Sequence, residues 1–215
     1  MKYIVVLSVW LILTGCSTFT KSFVGYFEGK IDYALAIIPK QEDVDTAHLM
    51  EIGGRNSTFY FKDGNYRQFF NASNLKEEIY LASDNKSYLR TGGSDTLLWK
   101  EVSGPVDNIL KVELNQGKKM VLGIMCDELI FHYKNKIKRY YYNPDSLRIK
   151  PHCFANFKYL NKDIAAQKMK TLFLQWEIEF PDYIGIITAT SISHQRIDNS
   201  FFDIPEKAIL FEIKY

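Results

Sequence analysis

The stretch Leu172-Phe173-Leu174-Gln175-Trp176-Glu177-Ile178-Glu179-Phe180 puts Leu, Leu, Trp, Ile and Phe at every second position, with Gln and Glu between the last of them. A period of two means an extended strand with one face in an apolar interior. The pattern recurs at 27–37, where Phe27, Ile31, Tyr33, Leu35 and Ile37 alternate with Glu28, Lys30 and Asp32. Shorter runs flank turn dipeptides at Asp63-Gly64 and Asp84-Asn85, which reads as hairpins. Two stretches break the period, 42–52 and 161–170, and both read as helical. The reading is one mainly β domain with about ten strands in a single strongly curved antiparallel sheet, a half-open barrel. An aromatic content of 15% fits a β-rich core. A curved sheet has a concave face that needs cover, and the two helical segments are the available lid. Candidate lining residues for a cavity under that lid are Phe27, Ile31, Tyr33, Phe59, Phe61, Trp99, Leu174, Trp176 and Ile178. The competing reading of these stripes is a filled core.

The N-terminus constrains location. Lys2 precedes eleven apolar-dominated residues at 3–13, about half the ~20 needed to cross a bilayer. That length suits the hydrophobic region of a signal peptide. It ends in Leu13-Thr14-Gly15-Cys16, which resembles the lipobox of bacterial lipoproteins, where the cysteine is acylated and the signal cut just before it. The resemblance implies a signal at 1–15, a membrane anchor on Cys16 with a tether at 16–22, and a domain at 23–215. No acidic residue follows Cys16 in the tether, so the expected place is the outer membrane, facing the periplasm. Loss of Lys2 leaves 26 basic against 25 acidic residues. A near-zero balance gives no electrostatic footprint for nucleic acid.

Chemistry-bearing motifs are few. Cys126 and Cys153 remain once Cys16 is acylated, and an oxidising compartment favours a disulfide between them. Closing that loop would stabilise by ~3–4 kcal/mol on the chain-entropy model; the alternative is two buried thiols. Cys126, His132, His152 and Cys153 match no standard zinc spacing, and adjacent residues of an extended segment point apart. No nucleophile elbow, metalloprotease helix or phosphate loop occurs. Glu177 and Glu179 share a strand face, which reads as a solvated surface. The reading is therefore a non-enzymatic protein without metal or cofactor. Asp45-Thr46-Ala47, Asp95-Thr96-Leu97 and Asp145-Ser146-Leu147 resemble an O-glycosylation motif of some Gram-negative secreted proteins.

Four further elements carry a wider resemblance: Gly29-Lys30-Ile31-Asp32-Tyr33, Leu122-Gly123-Ile124-Met125-Cys126, Tyr141-Tyr142-Asn143-Pro144 and Phe202-Asp203-Ile204-Pro205. Together they resemble a family of Gram-negative envelope lipoproteins similar in fold to the lipoprotein carriers LolA and LolB. The resemblance implies a half-barrel with helices at its mouth and an apolar cavity that binds acyl chains. Carrier activity is not implied, because an anchored chain cannot shuttle. Two functions remain: a binding protein for a lipid or other apolar ligand, or an interaction scaffold with a filled core and a protein partner at its rim.

Overall fold

The computed structural model describes residues 25–92, 95–104 and 106–213. The signal peptide, Cys16 and the tether lie outside the described residues. Twelve strands form one sheet: β1 (Gly29–Pro39), β2 (Asn56–Lys62), β3 (Asn65–Phe70), β4 (Leu75–Leu81), β5 (Lys86–Thr91), β6 (Thr96–Glu101), β7 (Lys111–Val121), β8 (Ile124–His132), β9 (Ile137–Tyr142), β10 (Gln175–Glu179), β11 (Tyr183–His194) and β12 (Ile209–Glu212). Their order is β12-β6-β5-β4-β3-β2-β1-β11-β10-β9-β8-β7, a curved sheet whose end strands do not meet.

The sheet departs from expectation in two ways. The strand count is twelve, not ten. Leu122 and Gly123, at φ +51° and +75°, make a tight turn that divides 119–133 and recruits residues from Lys111 onward into a full strand. The sheet is also mixed, because β12 returns to pair parallel with β6, Ile209 beside Thr96 and Glu212 beside Trp99. The other pairings are antiparallel, and β1 at the centre holds the longest, against β11.

Side-chain parity follows from register. Ile31 lies opposite Phe59, Phe61 opposite Tyr66 and Tyr66 opposite Tyr80, so these rings share the concave face. Asp63 and Gly64, both at positive φ, close the β2–β3 hairpin in the two-residue turn that matches strand twist. The convex face of β3–β6 buries Ile79, Tyr88 and Leu97, packed against Ile204 and Ala208 of the C-terminal segment.

The connection from β9 to β10 is the main cover of the concave face. It has no period because it is irregular: Leu147, Ile149, Cys153, Phe154 and Phe157 drop inward one at a time. The rings of Phe154 and Phe157 pack on Tyr66 and Tyr80. Backbone N–H groups of Lys158 and Tyr159 then reach Val102 O just past β6. Helix α2 (Lys162–Met169) completes the cover by burying Ala165, Ala166 and Met169. Helix α1 (Thr46–Gly53) does not share this role. It is capped by Asp45, which accepts from His48 N at 2.9 Å, but it buries no residue and packs beside β1 at the rim. Only one of the two expected lid segments is therefore a lid.

The expected disulfide is absent: Cys126 and Cys153 are buried free thiols. Cys153 packs at the β2–β3 turn, beside Gly64, whereas Cys126 lies on β8. Along the order β2-β1-β11-β10-β9-β8 those positions are five strands apart.

Candidate functional site

Between the concave face and its cover lies a cavity of about 290 Å³. The sheet contributes Tyr33, Phe59, Tyr66, Tyr140, Trp176 and Ile187, and the cover contributes Phe154, Phe157, Ala165, Ala166, Met169 and Phe173. These strands bring apolar and aromatic side chains inward because their alternate positions are apolar, and register aligns them across six neighbouring strands. Tyr33 donates its hydroxyl to Phe173 O at 3.0 Å, tying the wall to the cover. Burial pushes the phenols of Tyr33, Tyr66 and Tyr140 up, so all three stay neutral donors.

Polar groups punctuate this lining. Lys138 alternates inward on β9, opposite Phe131 and Ile178, and is only 1% exposed. Its ammonium donates to Leu160 O at 3.3 Å. Desolvation, with repulsion from Lys136, lowers its pKa to about 8. Lys162 opens α2 and is half-buried, but its ammonium lies 4.3 Å from the ring centres of Tyr66 and Phe157 and 5.1 Å from that of Phe154. This aromatic cage accounts for the desolvation that lowers Lys162 to about 8 as well, against the pull of Glu78. Among the described residues no carboxylate comes within 4.0 Å of either ammonium. Glu78 faces the cavity from β4 and is held in its own wall, accepting from Tyr66 Oη at 2.7 Å and Ser87 Oγ at 2.6 Å. The indole Nε1 of Trp176, beside the Tyr140 hydroxyl, is buried and meets no acceptor in hydrogen-bond geometry.

Of the residues singled out from sequence, Tyr33, Phe59 and Trp176 line the cavity. Phe27, Ile31, Phe61 and Leu174 are fully packed core. Ile178 sits farther along β10, against Gly185. Trp99 is on the wrong face: it lies opposite Tyr88, packs in the convex cluster and carries the Lys86 ammonium 4.0 Å above its ring. Lys138, Lys162 and the rings of 154–157 were missed. A lysine in a strand of alternating character gives no sign of which face it takes. Cys126, His132, His152 and Cys153 do not converge, and the described residues contain no cluster of three His, Cys, Asp or Glu side chains able to hold a metal.

No protein-family model and no curated protein matches the sequence. Solved structures share parts of its shape. PNGF-II is similar with a TM-score of 0.47 at 11% identity, over 87% of this chain and 31% of its own, so this chain spans about a third of that protein. A domain assigned to outer membrane lipoprotein sorting, from Vibrio parahaemolyticus, is similar with a TM-score of 0.26 at 10% identity, over 81% of this chain and 89% of that one.

Proposed function

We propose that the protein is anchored to a bacterial envelope membrane through Cys16 and holds a lipid or other apolar ligand in the covered cavity, binding rather than catalysing. The observation that carries this reading is the cavity itself: a core filled by its own side chains would leave no such space between Trp176, Phe59 and α2. Its volume is at the small end of the ~300–1,000 Å³ usual for ligand pockets, which favours one chain over several. Leu160 and Asn161 precede α2 in the left-handed region, and Lys170 follows it there, so the helix is set off from the chain on both sides by sharp turns.

The scaffold reading is favoured by the sheet edges. Leu114 and Met120 on β7 and Ile209 and Phe211 on β12 are more than half exposed. Unpaired edges of this kind invite a further strand.

One experiment tests both parts. The Cys16→Ser variant is expected in the soluble fraction, and native mass spectrometry of it is expected to show a co-purified acyl species. Adding Ala166→Trp, which fills the cavity, removes that adduct. Persistent membrane recovery overturns the anchor. A clean mass, or an adduct indifferent to Ala166→Trp, overturns the ligand and leaves the edges as the working surface.

A further inference from the structure

We infer that the cavity takes a single-chain amphiphile with an anionic head, a carboxylate or phosphate monoester, seated between the ammonium groups of Lys138 and Lys162 with its chain along the aromatic wall. This rests on the ligand-binding reading above and adds the chemistry of the ligand.

Three observations converge. First, both lysines line the same cavity and lie close enough to repel each other. An isolated ammonium is costly to desolvate, and two facing a common space double the cost unless an anion joins them. Second, the charges around them are committed elsewhere. Asp107 pairs with Lys136 at 2.8 Å, and Glu78 is held at the β3–β5 wall by Tyr66 and Ser87. Lys100, which also repels Lys162, stacks on Tyr159 with its ammonium 3.7 Å from the ring centre. Tyr133 gives its hydroxyl to Asn161 Oδ1. The balance left in the cavity is positive. Third, the cage of Tyr66, Phe154 and Phe157 fixes the Lys162 ammonium without accepting its N–H groups in hydrogen bonds, since ring faces attract the charge and leave the protons free. The Trp176 N–H, buried beside the Tyr140 hydroxyl, adds a polar group to the same wall. Since Glu78 approaches Lys162 from β4, the place open to an anion is the side toward Lys138.

The direction of a pH effect follows. Desolvation lowers both ammonium groups to a pKa of about 8. Affinity for an anionic head is therefore full at neutral pH and weakens progressively as pH rises above that point, while an uncharged head shows no such loss.

The test uses the full chain in phosphatidylcholine nanodiscs and three diazirine-bearing probes: laurate, dodecyl phosphate and dodecanol. After photolysis, adducts are mapped by peptide mass spectrometry. At pH 7 the two anionic probes are expected to mark cavity residues roughly tenfold more than dodecanol, the scale of one hydrogen bond to a charged group. Which anion marks more distinguishes carboxylate from phosphate. Lys162→Gln and Lys138→Met each reduce the anionic adducts about tenfold and leave dodecanol unchanged. Raising the pH to 9.5 does the same to the unmodified chain, so the inference stays testable if a variant folds poorly. Equal marking of the cavity by dodecanol and the anions overturns the anionic head and keeps the ligand-binding reading. No probe in the cavity overturns both.

Discussion

The sheet buries charge on both faces, and the two sites are built differently. On the convex face Glu77, with 4% of its side chain exposed, receives Arg67 and, at 2.9 Å, Arg90. Arg67 also donates to Phe201 O at 2.6 Å and lies 5.3 Å from the ring centres of Phe69 and Phe201. The C-terminal segment thus closes over a carboxylate whose counter-charges are already in place. On the concave face Lys138 and Lys162 have aromatic rings and one carbonyl and, among the described residues, no carboxylate within 4.0 Å. Unequal satisfaction of these charges separates a structural site from one that has room for a partner.

The strongest way to break this comparison is to make the convex site resemble the concave one. Glu77→Ala leaves two guanidinium groups beside each other without their carboxylate. Removing one partner of a buried ionic group costs ~3–5 kcal/mol, and urea unfolding is expected to show a loss of that size. A change under about 1 kcal/mol would mean that Arg67 and Arg90 are hydrated well enough to stand alone, and the contrast between the faces would fail.

The opposite expectation holds for Lys162→Met. With a folded pKa near 8 and an ordinary value of 10.5, the folded chain holds fewer protons than the unfolded one between those limits. Stability from this group therefore rises with pH across that window, and its penalty is fully present below pH 8. Burial pushes the thiols of Cys126 and Cys153 up, which acts in the reverse sense above about pH 9, as the buried phenols do at higher pH. The clean measurement is thus the difference between variant and parent. Lys162→Met is expected to be more stable by ~1–2 kcal/mol at pH 7, after allowing for its half-exposure, with the gain fading toward pH 10.5. A variant less stable at every pH would show that the aromatic cage outweighs the desolvation.

The sequence carries one of these faces better than the other. Period-two runs mark β1, β2 and β10, and dipeptides such as Asp63-Gly64 mark their turns, because burial of one sheet face demands alternation. The relation between strands is another matter. Parity within β6 puts Leu98 inward opposite Leu89 and Trp99 outward opposite Tyr88. Nothing in Leu97-Leu98-Trp99 says which, since the tail that covers Trp99 comes a hundred residues later. The run Ile137-Lys138-Arg139-Tyr140-Tyr141-Tyr142 is ambiguous in the same way, and hydropathy favours Lys138 outward. The cover at 143–160 has no period at all, because each apolar side chain enters from an irregular backbone. The candidate site was legible as far as an aromatic wall and one helical lid; its charges and the rest of its roof depend on tertiary register.

The smallest effect sharpens the concave side. Among the described residues Glu78 is the one carboxylate facing Lys162 in the cavity lining, and the contrast between the faces requires that it stay with its own wall. Tyr66→Phe removes the hydroxyl that Glu78 accepts at 2.7 Å and keeps the ring under Lys162. Losing a hydrogen bond to a charged acceptor that keeps a second donor, here Ser87 Oγ, is expected to cost ~1 kcal/mol. The informative part is the lysine. If Ser87 alone anchors Glu78, the pH dependence that distinguishes Lys162→Met from the parent persists in the Tyr66→Phe background. If Glu78 instead swings to the ammonium, Lys162 gains an ion pair, its proton is held to higher pH, and that difference collapses. A collapse would show that the concave site can satisfy itself after the loss of a single hydroxyl, and it would remove the physical distinction between the two faces.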